Sequence, residues 1–145
     1  MTNIILCGCG GRMGKAIAAA LPSDVEIIAG VDINASALSA ALPFPVYENI
    51  SDFPGKADVI VDFSHHSALP SLLAYAKATK TPLVVATTGH TDEELALMKS
   101  SADEVAVFHS GNFSIGINLL VNLARQAART LGVDFDIEID RKSVV

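Results

Sequence analysis

Asn3-Ile4-Ile5-Leu6-Cys7-Gly8-Cys9-Gly10-Gly11-Arg12-Met13-Gly14 is the stretch that decides the fold class of this 145-residue chain. Asn3–Cys7 is a short apolar run that ends in glycines. Met13, Ile17, Ala20 and Leu21 then recur at helical spacing, and Pro22 closes the helix. Strand, glycine turn and helix thus follow one another without a linker. Glycine permits the sharp turn and lets the backbone approach a pyrophosphate, while the helix start offers unpaired N–H groups and a partial positive charge. Position 13 is Met, so the spacing is G-x-x-G-x-x-G over Gly8, Gly11 and Gly14 rather than G-x-G-x-x-G. In this setting Gly8, Cys9, Gly10, Gly11, Arg12, Met13 and Gly14 are candidates to hold a dinucleotide. The other reading is a tight turn that only packs the helix closely on the strand.

Working outward, the same alternation continues. Val25–Val31 is a second apolar, β-branched run, and Asn34–Leu42 reads as a short helix stopped by Pro43 and Pro45. Asp58–Phe63 is a strand, followed by a helix whose face is Leu69, Leu72, Leu73 and Ala76. Pro82–Ala86 is a strand. Thr91 and Glu94 form a capping-box pattern, with Asp92 and Glu93 in the first turn and Leu95 and Met98 as the buried stripe. Val105–Phe108 is the next strand. Continuous apolar strands between amphipathic helices predict a parallel sheet covered on both faces, the doubly wound, Rossmann-like α/β class. After residue 114 the pattern changes. Ser114 caps a long helix, Ile115–Leu131, that Gly132 ends, and a strand-like Phe135–Ile139 follows. The expected organisation is a dinucleotide-binding domain over 1–114 and the first helix and strand of a second domain over 115–145. Ile117, Leu120, Val121 and Ala124 give that helix an apolar face.

Asp32 ends the second strand, at about the distance (~20 residues on) where an acid accepts hydrogen bonds from the adenosine ribose hydroxyls. Ile33 and Asn34 beside it are uncharged. A 2′-phosphate there would meet a carboxylate with no adjacent cation, so NADH is favoured over NADPH. Three polar loops follow strand ends: Asp62-Phe63-Ser64, Thr87-Thr88-Gly89 and Ser110-Gly111-Asn112-Phe113-Ser114. Ligands of open α/β sheets bind outside the carboxyl ends of the strands, so these loops line one crevice. Ser64, Thr91 and Ser114 also stand where helix caps belong, and both roles are compatible. His65 and His66 open a helix and point apart, a poor chelate. His90 and His109 follow strand ends, and no histidine has an obvious paired acid, so all four read as loop or cap residues.

The composition excludes several classes. Half of the residues are hydrophobic, 18% are charged, and the formal charge is −6 with a pI near 5.0. Nucleic-acid backbones need Lys and Arg, so nucleic acid is not an expected partner. No basic amphipathic stretch, spanning run or signal peptide is read, so no membrane partner is expected and the protein is read as cytoplasmic. Cys7 and Cys9 are too few for a closed zinc site and too close for a disulfide, so no metal is expected.

Four segments in order, Gly8–Gly14 (GCGGRMG), Val61–Ser64 (VDFS), Thr87–Gly89 (TTG) and Asn112–Asn118 (NFSIGIN), resemble the dihydrodipicolinate reductases. This family, also called 4-hydroxy-tetrahydrodipicolinate reductases, belongs to bacterial lysine and diaminopimelate synthesis. The likeness runs from residue 3 to about residue 139. It implies an oxidoreductase that uses NADH or NADPH to reduce 4-hydroxy-tetrahydrodipicolinate to tetrahydrodipicolinate, with this chain supplying the cofactor-binding half. By the same resemblance the turn from Gly8 to Met13 and Asp32 hold the cofactor. Ala86, Thr87, Thr88, Ser110, Gly111, Asn112 and Phe113 border the nicotinamide, and Thr88 also approaches the dicarboxylate substrate. The family's paired histidines, lysine and D-A-P-S-G-T stretch, which donate the proton and hold the substrate carboxylates, do not follow Asp136–Ile139 here. His65-His66 lies in a different motif. No catalytic residue is therefore assigned, and the 145 residues alone are expected to be inactive. The full-length form is implied to be a homotetramer. Asp140–Val145 (DRKSVV) matches one frame of a common sequencing adapter, so 140–145 are expected to be an artefact and the natural gene to continue. The alternative reading is a free-standing dinucleotide-binding or sensing module without catalysis.

Overall fold

The structure, a computed structural model, describes residues 1–140. The chain divides into two compact units, Met1–Gly111 and Asn112–Val145. In the first, six strands form one sheet: β1 (Thr2–Cys7), β2 (Val25–Val31), β3 (Val46–Tyr47), β4 (Val59–Asp62), β5 (Leu83–Val85) and β6 (Val107–His109). Every pairing is parallel, and the order is β3-β2-β1-β4-β5-β6. That is the doubly wound order with its switch point beside β1. The register of β1 on β2 slips between Ile4 and Ile5, where Ile4 faces Ile27 but Ile5 faces Ala29.

The central strand explains the arrangement. Ile4, Ile5, Leu6 and Cys7 are all buried, and successive side chains of a strand point to opposite faces. Ile5 and Cys7 join one core with Leu69, Leu72, Leu73, Ala76 and Met98; these come from α3 (Leu69–Thr79) and α4 (Asp92–Ser101). Ile4 and Leu6 join the other core with Ile27 and Phe44, against Ile17, Ala18 and Leu21 of α1 (Arg12–Ala19) and the turn after it. Burying each such Leu or Ile side chain is worth roughly 1.5–3 kcal/mol, so the two-sided burial of β1 anchors the sheet.

Several local expectations are corrected. On α1 the inner face is Gly14, Ile17, Ala18 and Leu21, whereas Met13 is 49% exposed and Ala20 is exposed. The close approach of Gly14 to the turn sets the helix rotation and turns Met13 outward. The helix expected over Asn34–Leu42 is only one turn, α2 (Ala35–Leu38), continued by turns whose N–H groups at Ala41 and Leu42 donate to Leu38. On α4 Met98 is buried, but Leu95 is 40% exposed. β3 was not expected at all. It is held by two pairs, Gly30 with Val46 and Val31 with Tyr47, too short to leave an alternating pattern.

In the second unit α5 (Ile115–Leu131) forms as expected: Ser114 Oγ accepts the Ile117 N–H at 3.3 Å, and Gly132 follows the helix with φ +72°. No residue of α5 is buried, and Ile117, Leu120, Val121 and Ala124 are all exposed. Phe135–Ile139 is not a strand. A strand requires a ladder partner, and the described residues of the second unit hold no other strand to supply one. Of the segment expected to be artefactual, Arg141–Val145 lie outside the described residues.

Candidate functional site

The glycine turn runs from the end of β1 into α1. Gly8 has φ +75°, the left-handed region where glycine alone is unstrained, and its N–H donates to Val31 O at 2.7 Å. Gly11 stands at the N-cap with no side-chain cap, its N–H donating to Gly8 O at 3.1 Å. Gly14 lies against the turn: a Cβ there would come within 2.3 Å of Gly8 O. The start of α1 is thereby pressed onto the end of β1, with its first N–H groups at the open end of the sheet. Cys9 is buried, and burial, followed by the nearby Asp32 charge, pushes its thiol up to about 11. Cys9 is therefore a neutral packing residue within the turn.

Asp32 closes one side. Its Oδ2 accepts the Gly10 N–H at 2.9 Å and its Oδ1 accepts the Asn34 N–H at 3.0 Å. The carboxylate is thus fixed against the glycine turn with capacity left to accept further donors. Gly8, Gly10, Gly11 and Asp32 line a crevice of about 590 Å³ with Ile33, Leu38, Phe63, Ser64, His65 and Ile50. This is an ordinary volume for a small-molecule site. The structure brings together the glycine turn, Asp32 and the loop after β4. Arg12, Met13, Ala86, Thr87, Thr88 and Ser110–Phe113 do not line this crevice. Arg12 and Met13 are exposed on the first turn of α1. Thr88 is exposed in the loop after β5, and a side chain at Gly111 would come within 3.8 Å of its Cγ2. Ser110 is tied to the sheet by its N–H donating to Val85 O at 3.2 Å. In the second unit Asn112 Oδ1 accepts the Ser114 N–H at 2.9 Å, and Phe113 is half-exposed.

Asp62 is the residue whose part sequence reasoning missed. It is fully buried at the end of β4. Oδ1 accepts both the Ser64 N–H, at 2.9 Å, and the Ser64 hydroxyl, while Oδ2 accepts the Thr87 hydroxyl at 2.8 Å. The VDFS and TTG segments are therefore one structure, joined by a carboxylate. Thr87 is turned inward by this bond. The signal in the sequence was an acid closing a β-branched run, where a buried charge needs several donors. Cys7 lies beside it, and burial, then the Asp62 charge, pushes the Cys7 thiol well above its ordinary value.

The histidines, which have no obvious paired acid in the sequence and read as loop or cap residues, gain one in the structure. His66 Nδ1 lies 3.0 Å from both Glu94 oxygens. His90 Nδ1 lies 3.5 Å from Glu94 Oε2. The acid sits 28 residues from His66, so only the packing of α4 against α3 and the turn before it brings them together. The Glu94 carboxyl is held below the ordinary glutamate range, first by the His66 hydrogen bond and then by the Thr91 N–H. A carboxyl depressed in the folded state stabilises above its unfolded value and loses that contribution as pH falls through the folded value. Glu94→Gln is therefore expected to lose less stability than the unaltered chain on acidification from about pH 5 to pH 3. Urea midpoints across this range check it; a constant gap between the two proteins would contradict it.

An all-parallel sheet in this order, with a glycine turn and a fixed acid at its carboxyl edge, defines a dinucleotide-binding-type α/β domain. Residues 2–113 match the family described as dihydrodipicolinate reductase, N-terminus. The chain belongs to the dihydrodipicolinate reductase family. It is 42% identical over 144 residues to the 4-hydroxy-tetrahydrodipicolinate reductases of Caldanaerobacter subterraneus and of Clostridium tetani, covering 98% of this chain and 55% of each relative. The chain thus spans about half the length of these curated relatives. Among solved structures, the dipicolinate-bound dihydrodipicolinate reductase of Paenisporosarcina sp. superposes with a TM-score of 0.72 at 23% identity, over 88% of this chain and 53% of that one. The WlbA dehydrogenase of Bordetella pertussis, in complex with NADH and UDP-GlcNAcA, gives 0.68 at 21% identity, over 87% of this chain and 42% of that one. At these identities the likeness is one of fold. No helix among the described residues is long and apolar enough to cross a membrane.

Proposed function

We propose that this chain is the nicotinamide-cofactor-binding part of a cytoplasmic reductase that converts 4-hydroxy-tetrahydrodipicolinate to tetrahydrodipicolinate. The observation that carries this reading is the crevice in which the uncapped start of α1, the glycine turn and the Asp32 carboxylate converge. It rests further on the family and on the names of the relatives. Once bound, a reduced nicotinamide supplies the hydride, and with a proton the substrate's hydroxyl leaves as water.

The work of these residues is binding and orientation. Gly8–Gly14, with Arg12 and Met13 at the first turn of α1, receive the pyrophosphate on backbone N–H groups. Asp32 accepts the ribose hydroxyls. Ala86, Thr87, Thr88 and Ser110–Phe113 border the nicotinamide, and Thr88 approaches the dicarboxylate. Residues 1–114 form the cofactor domain and 115 onward begins a second, whose remainder supplies the proton donor, the substrate clamp and the tetramer.

NADH is favoured over NADPH, because Ile33 and Asn34, both exposed, place no cation beside Asp32 to meet a 2′-phosphate. Fluorescence titration at fixed salt tests this. NADH is expected to bind more tightly than NADPH, and Asp32→Ala to weaken NADH by about 10- to 100-fold, from lost hydrogen bonds to a charged acceptor. Equal affinities for the two cofactors in the unaltered chain would overturn the preference.

A further inference from the structure

Glu94 joins three segments. Its Oε2 accepts the Thr91 N–H at 2.8 Å, completing the capping box of α4, and both oxygens lie 3.0 Å from His66 Nδ1 in the turn after β4. A carboxylate only accepts, so that nitrogen carries the proton. The Glu94 side chain is 15% exposed, and the neighbouring His90 side chain is 2% exposed. A helix cap requires only the exchange between Thr91 and Glu94; the bond to His66 is additional. At the other end of the same loop the Thr87 hydroxyl is held by Asp62. Two carboxylates thus fix the ends of Thr87–Thr91. Between them Thr88 is exposed, and at Gly89, with φ +84°, a Cβ would meet nothing within 4 Å.

We propose that Glu94 and His66 are positioning residues that hold Thr88 and Gly89 in place for the nicotinamide end of the dinucleotide. This rests on the reading above that the loop borders the nicotinamide. A loop released at one end samples more conformations, and binding must then order it, which weakens affinity for whatever touches it. The adenosine end is gripped by Asp32 and the glycine turn, with which Glu94 shares no hydrogen bond in the structure. The effect is therefore confined to one half of the ligand.

Calorimetric titration of the full chain with NADH and with ADP-ribose, which lacks the nicotinamide, tests this. Glu94→Gln keeps a carbonyl for the Thr91 N–H but gives up the carboxylate facing His66, and His66→Phe removes the donor. Each is expected to weaken NADH about five- to ten-fold, the double variant no more than either single one, with ADP-ribose within about two-fold throughout. NADH binding unchanged in both variants, or both ligands weakened equally, overturns the proposal. If the unaltered chain binds neither ligand, the dinucleotide reading falls and takes the proposal with it. If it binds both and the variants match it, only the positioning role falls.

Discussion

Gly14→Ala is expected to destabilise the Met1–Gly111 unit by about 2–3 kcal/mol and to abolish dinucleotide binding. The added Cβ would lie 2.3 Å from Gly8 O, 2.7 Å from Cys9 Cα and 2.8 Å from Cys9 O. All three atoms are backbone, so no side-chain rotation relieves the overlap. Alanine is the better helix former by about 1 kcal/mol, but that gain is smaller than the strain of separating α1 from β1. Moving α1 outward also withdraws its N–H groups from the crevice. Gly116→Ala makes the contrast. There a Cβ would meet nothing nearer than Ser114 Oγ at 3.7 Å, and no loss of stability is expected. Urea denaturation of both variants is the check; a Gly14→Ala midpoint equal to that of the unaltered chain would show that α1 is not pressed on the turn.

Asp62→Ala is expected to be as severe, about 3–5 kcal/mol. The carboxylate is fully buried and takes three hydrogen bonds from Ser64 and Thr87. Its removal leaves a cavity and takes from the buried Thr87 hydroxyl the acceptor it has in the structure. Asp62→Asn is expected to be milder, about 1–2 kcal/mol, because the Thr87 hydroxyl can reverse and accept from the new amide. Ser64→Ala and Thr87→Val each remove one partner and are expected to fall between the two. If Asp62→Ala is milder than Asp62→Asn, the carboxylate is not the joint between the two segments.

The legible parts of the chain were those whose signal is local. A strand buried on both faces, a glycine turn and a helix lie contiguous in Asn3–Leu21, and the capping box of Thr91 and Glu94 is written within four residues. The fold class followed from these, and Asp32 was singled out by its distance beyond the glycine turn, but its bond to the Gly10 N–H was not written there. What was not legible depends on contacts between distant segments. Met13 has the right period for the inner face of α1, but the approach of Gly14 to Gly8 rotates it outward. β3 exists only because β2 offers an edge to two residues. Phe135–Ile139 has strand composition without a ladder partner among the described residues. Asp62 with Thr87, and Glu94 with His66, are separated by 25 and 28 residues, and nothing in either neighbourhood marks the partner.

A heteronuclear NMR titration of the 145-residue chain with NADH, following backbone amides, tests whether the glycine turn and Asp32 hold a nicotinamide dinucleotide. Saturable shifts are expected, largest at Gly10, Gly11, Arg12, Met13 and Asn34, around the fixed Asp32 carboxylate. Absence of saturable shifts, or shifts centred elsewhere in the chain with this turn unmoved, would contradict it.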